Sequence, residues 1–261
     1  METSAASDSH FRIRCGESVK YVIVAPETFD DDELLMALDC LPPLPYDKDE
    51  WNFARVSRTA GDPKLHVSLD FRPLRGLSES WHPQCIDILS LEKVNLLSVN
   101  TFECILKDEP TQNDQISADS RTYVAKIARF EWEIPRLERE THAYQVIQHT
   151  DIGPRFLGHI HEQGRIIGFL LEKLDGRPAG IEDLSQCQEV LGRYHGLGLI
   201  HGDVNRYNFI IGESRVKMVD FEHYQETSSQ EQMNSEMLSL PSELEDESGR
   251  GAGFLTDDEE D

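Results

Sequence analysis

His201-Gly202-Asp203-Val204-Asn205-Arg206-Tyr207-Asn208 is followed, after residues 209–218, by Val219-Asp220-Phe221-Glu222. The first segment has the pattern His-x-Asp-x-x-x-x-Asn, which with three fixed positions arises by chance in roughly one chain in a hundred of this size. Its meaning therefore depends on what surrounds it. Phe209-Ile210-Ile211, the turn Gly212-Glu213-Ser214 and the run from Val216 to Val219 predict a β-hairpin. Such a hairpin returns Asn208 and Asp220 to one end of the sheet. Two oxygen donors there suit a hard divalent cation, and Asp203 stands in the loop beside them.

Upstream, Leu184, Cys187, Val190, Leu191 and Tyr194 recur at helical spacing, with Asp183 as the expected cap and Gly196 and Gly198 as terminators. Phe156 to Ile160 and Arg165 to Leu171 predict two strands turned at Glu162-Gln163-Gly164. The second runs into a polar connector, Glu172-Lys173-Leu174-Asp175-Gly176. Pro135 suits the first turn of a helix reaching about Gln148. On it Leu137, Ala143, Tyr144 and Ile147 form an apolar face with Glu140 at its centre, while Glu138 falls on the wet side. Before that helix, Tyr123 to Ala128 reads as a buried strand, and period two places Lys126 with Val124 and Ala128. A buried ammonium is costly without a countercharge, so Glu140 is the expected partner of Lys126.

Residues 1–94 alternate like strands at Phe11 to Arg14, Tyr21 to Ala25, Trp51 to Val56, Leu65 to Phe71 and Ile86 to Leu91. This predicts a β-rich accessory region without a catalytic constellation, in which Trp81-His82-Pro83 forms an aromatic packing corner. At the other end, Met233, Met237, Leu238, Leu240 and Leu244 predict one docked helix within 225–248, interrupted at Pro241. Residues 249–261 form an acidic tail expected to be disordered.

The 261 residues carry a net charge of −24. Glu222 to Asp261 holds 13 acidic residues against Arg250 alone, which is half of that excess. The balance argues against general nucleic-acid binding and against attraction to anionic lipid. Five scattered cysteines read as reduced thiols rather than a disulfide frame. Neither a signal peptide nor a long apolar run is evident, so the expected location is cytoplasmic or nuclear, not secreted and not in a membrane.

The order of these features is that of a phosphoryl-transfer site, which needs phosphates positioned, charge neutralised and an acceptor hydroxyl oriented. Lys126, held by Glu140, is the candidate for ATP phosphates. Val124 and the connector residues Glu172 and Leu174 are candidates for the rest of the nucleotide. Asn208 and Asp220 are candidate Mg2+ ligands, and Asp203 the candidate base toward an acceptor that the sequence does not specify. Residues 95–224 resemble the protein-kinase-like superfamily. His201-Gly202-Asp203 is similar to the aminoglycoside phosphotransferases and to minimal atypical kinases of the Rio and KEOPS-complex kind, and Val219-Asp220-Phe221-Glu222 to choline kinases. The whole chain also resembles a group of filamentous-fungal kinase-like proteins that often carry an automatic α-galactosidase A label; no carboxylate pair or eightfold strand-helix pattern supports glycosidase chemistry.

The resemblance implies an α+β, two-lobed protein-kinase-like fold over 95–224 with a reduced C-lobe, preceded by the β-rich region. Three departures stand out. No glycine-rich segment precedes Lys126, Asn205 stands where Ser/Thr protein kinases carry a lysine, and few residues follow Tyr224. They direct the reading to a small-molecule or atypical hydroxyl acceptor. They also keep open a pseudokinase, a scaffold with or without nucleotide whose N-terminal region or acidic tail binds a protein partner.

Overall fold

Strand pairing organises most of the chain. The computed structural model describes residues 1, 3–35, 40–59, 62, 64–107 and 122–253. They fall into two units, Met1–Arg75 and Gly76–Asp261.

In the first unit β1 (Ser9–Cys15), β2 (Ser18–Val24), β3 (Phe53–Arg58) and β4 (Leu65–Asp70) form one sheet in that order. β2 and β3 run parallel, the other pairs antiparallel, and a short α1 (Asp31–Leu35) lies between β2 and β3 in the chain. Phe11, Val22, Val24, Phe29, Leu34, Trp51, Ala54 and Val56 make its core. Lys20 is buried there, and its ammonium donates to the carbonyls of Lys48 and Trp51 at 2.7 and 2.6 Å, which offsets its burial.

The second unit begins earlier than the sequence suggests. Its six-stranded sheet contains β5 (Cys85–Asp87), β6 (Leu91–Leu96), β7 (Thr101–Leu106), β8 (Tyr123–Ile127), β9 (Phe156–Glu162) and β10 (Arg165–Glu172), in the order β5-β9-β10-β8-β7-β6. The expected boundary after residue 94 would cut through β6, which pairs with β7. The single strand expected from Ile86 to Leu91 is broken because the Asp87 carboxylate accepts from the Leu89 N–H and turns residues 88–90 into a 3-10 helix. Trp81 does form a packing corner: its ring lies 4.4 Å from that of Phe156, and its indole N–H donates to Thr141.

Helix α2 (Ile134–Ile147) packs against β10. Beyond the sheet come β11 (Arg177–Pro178), α3 (Leu184–His195), β12 (Leu199–Ile200), β13 (Phe209–Ile211), β14 (Val216–Met218), β15 (Gln225–Glu226) and α4 (Gln230–Glu245). The second lobe is accordingly small, with α3 and α4 packed on each other among the described residues. Asp183 does not cap α3 as expected. Its carboxylate instead accepts from the Gly180 N–H and from Arg177, closing the turn before the helix. Pro241 does not interrupt α4 either; the helix continues to Glu245, with Leu240 and Leu244 buried. Residues 108–121 and the tail from 254 onward lie outside the described residues. No described helix is long and apolar enough to cross a membrane.

One core joins sheet, α2 and the second lobe. At its centre Phe221 is fully buried and packs on Tyr144 of α2, Tyr194 of α3 and His201, with ring centroids 5.2, 5.4 and 5.3 Å away. Removing this ring leaves a cavity bordered by both lobes. Phe221→Ala is expected to cost the second unit about 3–5 kcal/mol in urea unfolding, and Phe221→Leu markedly less. Equal, small losses in both variants would contradict this packing.

Candidate active site

Three segments bring charged groups to one point. β8 supplies Lys126, whose side chain is 7% exposed, and α2 supplies Glu140, 2.7 Å from its ammonium. The expected pair is therefore formed. The turn after β14 adds two more carboxylates, Asp220 at 2.8 Å and Glu222 at 2.7 Å from the same nitrogen. Glu222, absent from the expected site, also meets Arg136 at 2.9 Å. Three carboxyl groups thus face the two cations Lys126 and Arg136.

Backbone geometry fixes this cluster. Asp220 has φ +62°, the left-handed region, which for a non-glycine residue costs about 1–3 kcal/mol. The flanking residues sustain it: His201 Nε2 lies 3.0 Å from the Val219 carbonyl, and Phe221 is anchored in the core. Burial holds His201 below its ordinary pKa, so the ring is neutral and Nε2–H is the donor. Burial also works against the charge of Lys126, but its three carboxylates outweigh it and raise the pKa. For Asp220 burial pushes upward, and the Lys126 ammonium more than reverses it, holding the carboxyl below its usual range. Burial raises Glu140 despite Lys126.

Ligand oxygens of Glu140, Asp220 and Glu222 lie within 4.8 Å of one another. Of the expected metal pair, Asp220 belongs to this cluster, and Asn208 immediately precedes β13 across the hairpin. The hairpin returns the two to the same end, as the Val219 N–H donates to the Asn208 carbonyl at 3.0 Å. Asn208 Nδ2 donates to the Asp203 carbonyl at 2.8 Å, so its Oδ1 is the atom left to act as an oxygen donor. Carboxylate and carboxamide oxygens are the donors that fit Mg2+.

The loop itself is closely determined. Gly202 has φ +79°, and a Cβ there would lie 2.3 Å from the His223 carbonyl oxygen, so no side chain fits. Asp203 is partly exposed. Asn205 is buried and structural; its Oδ1 accepts from the Tyr207 N–H, and its Nδ2 lies 3.3 Å from both the carbonyl and the carboxylate of Asp203.

The connector separates the expected nucleotide contacts. The Glu172 N–H already donates to the Arg155 carbonyl, and its carboxylate accepts from Lys217 at 2.7 Å and from the Arg155 N–H at 2.9 Å, so neither is open to a base. The half-buried Leu174 makes no backbone hydrogen bond to a described residue, leaving its N–H and C=O open to a ligand. Val124 is half-buried on the face of β8 that carries Lys126.

Glu236 of α4 escaped the motif reading. Its carboxylate accepts from the Gly202 N–H at 2.7 Å and the His201 N–H at 3.1 Å, and pairs with His195 at 2.7 Å while only 8% exposed. The signal was present: Met233, Glu236 and Leu240 follow helical spacing on the buried face, and a buried carboxylate must find donors.

A family model described as a RIO domain matches residues 173–240, from the connector through the loop and the Asp220 segment into α4. This match supports a protein-kinase-like assignment for that stretch of the chain. Among solved structures, the chain is similar to the kinase PK-1 of Cydia pomonella granulovirus, at 12% identity and a TM-score of 0.38. The match covers 54% of this chain and 55% of the viral one, so the chain spans about half the length of that kinase. No curated protein matches the sequence.

Burial works to raise Glu236, but His195 and the two amides outweigh it and hold the carboxyl below 4.5. A depressed carboxyl adds stability that is present above 4.5 and is lost as pH falls through the folded value. Glu236→Gln should therefore cost about 1–3 kcal/mol at neutral pH and flatten the acid limb of a stability-versus-pH curve. An unchanged acid limb would remove Glu236 from this role.

Proposed function

We propose that the protein is an ATP- and Mg2+-dependent phosphotransferase acting on a small molecule or an atypical hydroxyl acceptor. The observation that carries this reading is Lys126, which meets the helix carboxylate Glu140 and the Asp220 carboxylate at once. A lone structural ion pair needs one partner. A lysine shared between a helix and the strand end after the loop is placed to hold phosphate beside a metal ligand.

In this reading Lys126 holds the nucleotide phosphates as a point charge and Glu140 fixes its direction. The open edge of Leu174 and the side chain of Val124 receive the base. Asn208 Oδ1 and the Asp220 carboxylate hold Mg2+, which supplies neutralisation of phosphate charge. Asp203, partly exposed beside them, orients the acceptor hydroxyl and takes its proton. Glu236 and Gly202 keep that carboxylate in place and touch no substrate.

A second reading, a pseudokinase scaffold, is favoured by the turn between β6 and β7. It is only four residues long; the N–H groups of Leu97 and Ser98 both donate to the Thr101 carbonyl, and the buried Asn100 accepts the Ile127 N–H through its carbonyl. This turn has no glycine and spends the Leu97 and Ser98 amides internally, which leaves less backbone to cradle phosphate. Under that reading the first unit or the acidic tail carries the partner.

The two readings separate in one pair of measurements. Asp203→Asn should keep the ATP-induced rise in melting temperature while lowering ATP turnover by about a hundredfold or more. A scaffold predicts no turnover in the wild type for the substitution to remove.

A further inference from the structure

The chain returns to this site after α4. Arg250 is the single lysine or arginine from residue 222 to the end. Its Nη1 lies 3.6 Å from the Asp203 carboxylate, Glu243 pairs with Nη2, and Asp246 lies 3.6 Å from Nε. The backbone follows the same course. A Cβ on Gly251 would lie 2.8 Å from both polar side-chain atoms of Asn205, and one on Gly253 would lie 2.4 Å from the Leu97 carbonyl oxygen. Residues 246–253 therefore cross from the Asp203 loop to the turn between β6 and β7.

We infer that residues 246–253 form an autoinhibitory strap, in which Arg250 stands where an acceptor hydroxyl must approach Asp203. This rests on the phosphotransferase reading. A base has to come within hydrogen-bond reach of the proton it takes, about 2.6–3.2 Å between heavy atoms. A guanidinium in front of that carboxylate excludes the acceptor and leaves nucleotide binding at Lys126 and Leu174 untouched. The strap approaches this closely because Gly251, at φ +87°, has no side chain to collide with Asn205.

The grip is weak enough to be regulatory. Arg250 is half-exposed and Asp203 more than a third exposed. Screened pairs of this kind each shift an equilibrium by a factor of about five at most. An acceptor that binds only the open form can therefore displace the strap.

The test compares ATP turnover by the full-length wild type, Arg250→Ala and Gly251→Val, with the ATP-induced thermal shift in the same samples. Release of the strap predicts a rise in turnover of about threefold to tenfold in both variants and an unchanged shift. Turnover that stays level or falls in both overturns the inhibitory role. Tryptic cleavage after Arg250 reads the contact without chemistry: Asp203→Asn should speed it severalfold, and an unchanged rate overturns the docked strap itself. If Asp203→Asn speeds cleavage while neither the wild type nor the variants turn over ATP, the inhibitory role is overturned. The thermal shift then tells whether nucleotide binding, and with it the phosphotransferase reading, has failed as well.

Discussion

A single buried ammonium holds the second unit's two lobes in register. Lys126 takes contacts of 2.7–2.8 Å from α2 and from both carboxylates of the Asp220–Glu222 segment. Without it, Glu140 and Glu222 would be buried like charges facing only Arg136, an arrangement that costs several kcal/mol. The cluster also makes the site chemically directed. Glu140, Asp220 and Glu222 set three carboxyl groups close enough together to share a divalent cation.

The cluster depends in turn on apolar packing. Asp220 is kept in the left-handed region because its neighbours cannot move: Phe221 fills the space between Tyr144 and Tyr194, and His201 lies 3.0 Å from the Val219 carbonyl. Glu236 extends the same logic to α4, a helix outside the motif that takes two loop amides as its own hydrogen-bond donors. The small second lobe thus retains what orients the loop. Residues 246–253 turn back over Asp203, where Arg250 Nη1 lies 3.6 Å from its carboxylate.

Much of this was legible in the residues because it is local. Helical phase alone separated Glu140 from Glu138, and the hairpin predicted that Asn208 and Asp220 end together. The expected pair Lys126–Glu140 formed, whereas Glu222 was not foreseen, since nothing in Val219-Asp220-Phe221-Glu222 says that its last side chain turns back toward β8. Glu172 looked open, yet its N–H and carboxylate meet Arg155 and Lys217, partners 17 and 45 residues away. The first unit was recognised as β-rich but drawn too long, because the pairing of β5 with β9 and of β6 with β7 belongs to tertiary structure rather than to alternation. The strap was invisible for the same reason: a lone arginine in an acidic tail acquires meaning only when Asp203 is beside it.

The claim that this cluster is a magnesium-nucleotide site is tested most directly by calorimetric titration of ATP, with and without Mg2+, into the wild type and Asp220→Asn. The account predicts that Mg2+ tightens ATP binding by the wild type and that most of this gain disappears in the variant. Equal ATP affinity with and without Mg2+ in the wild type would contradict it.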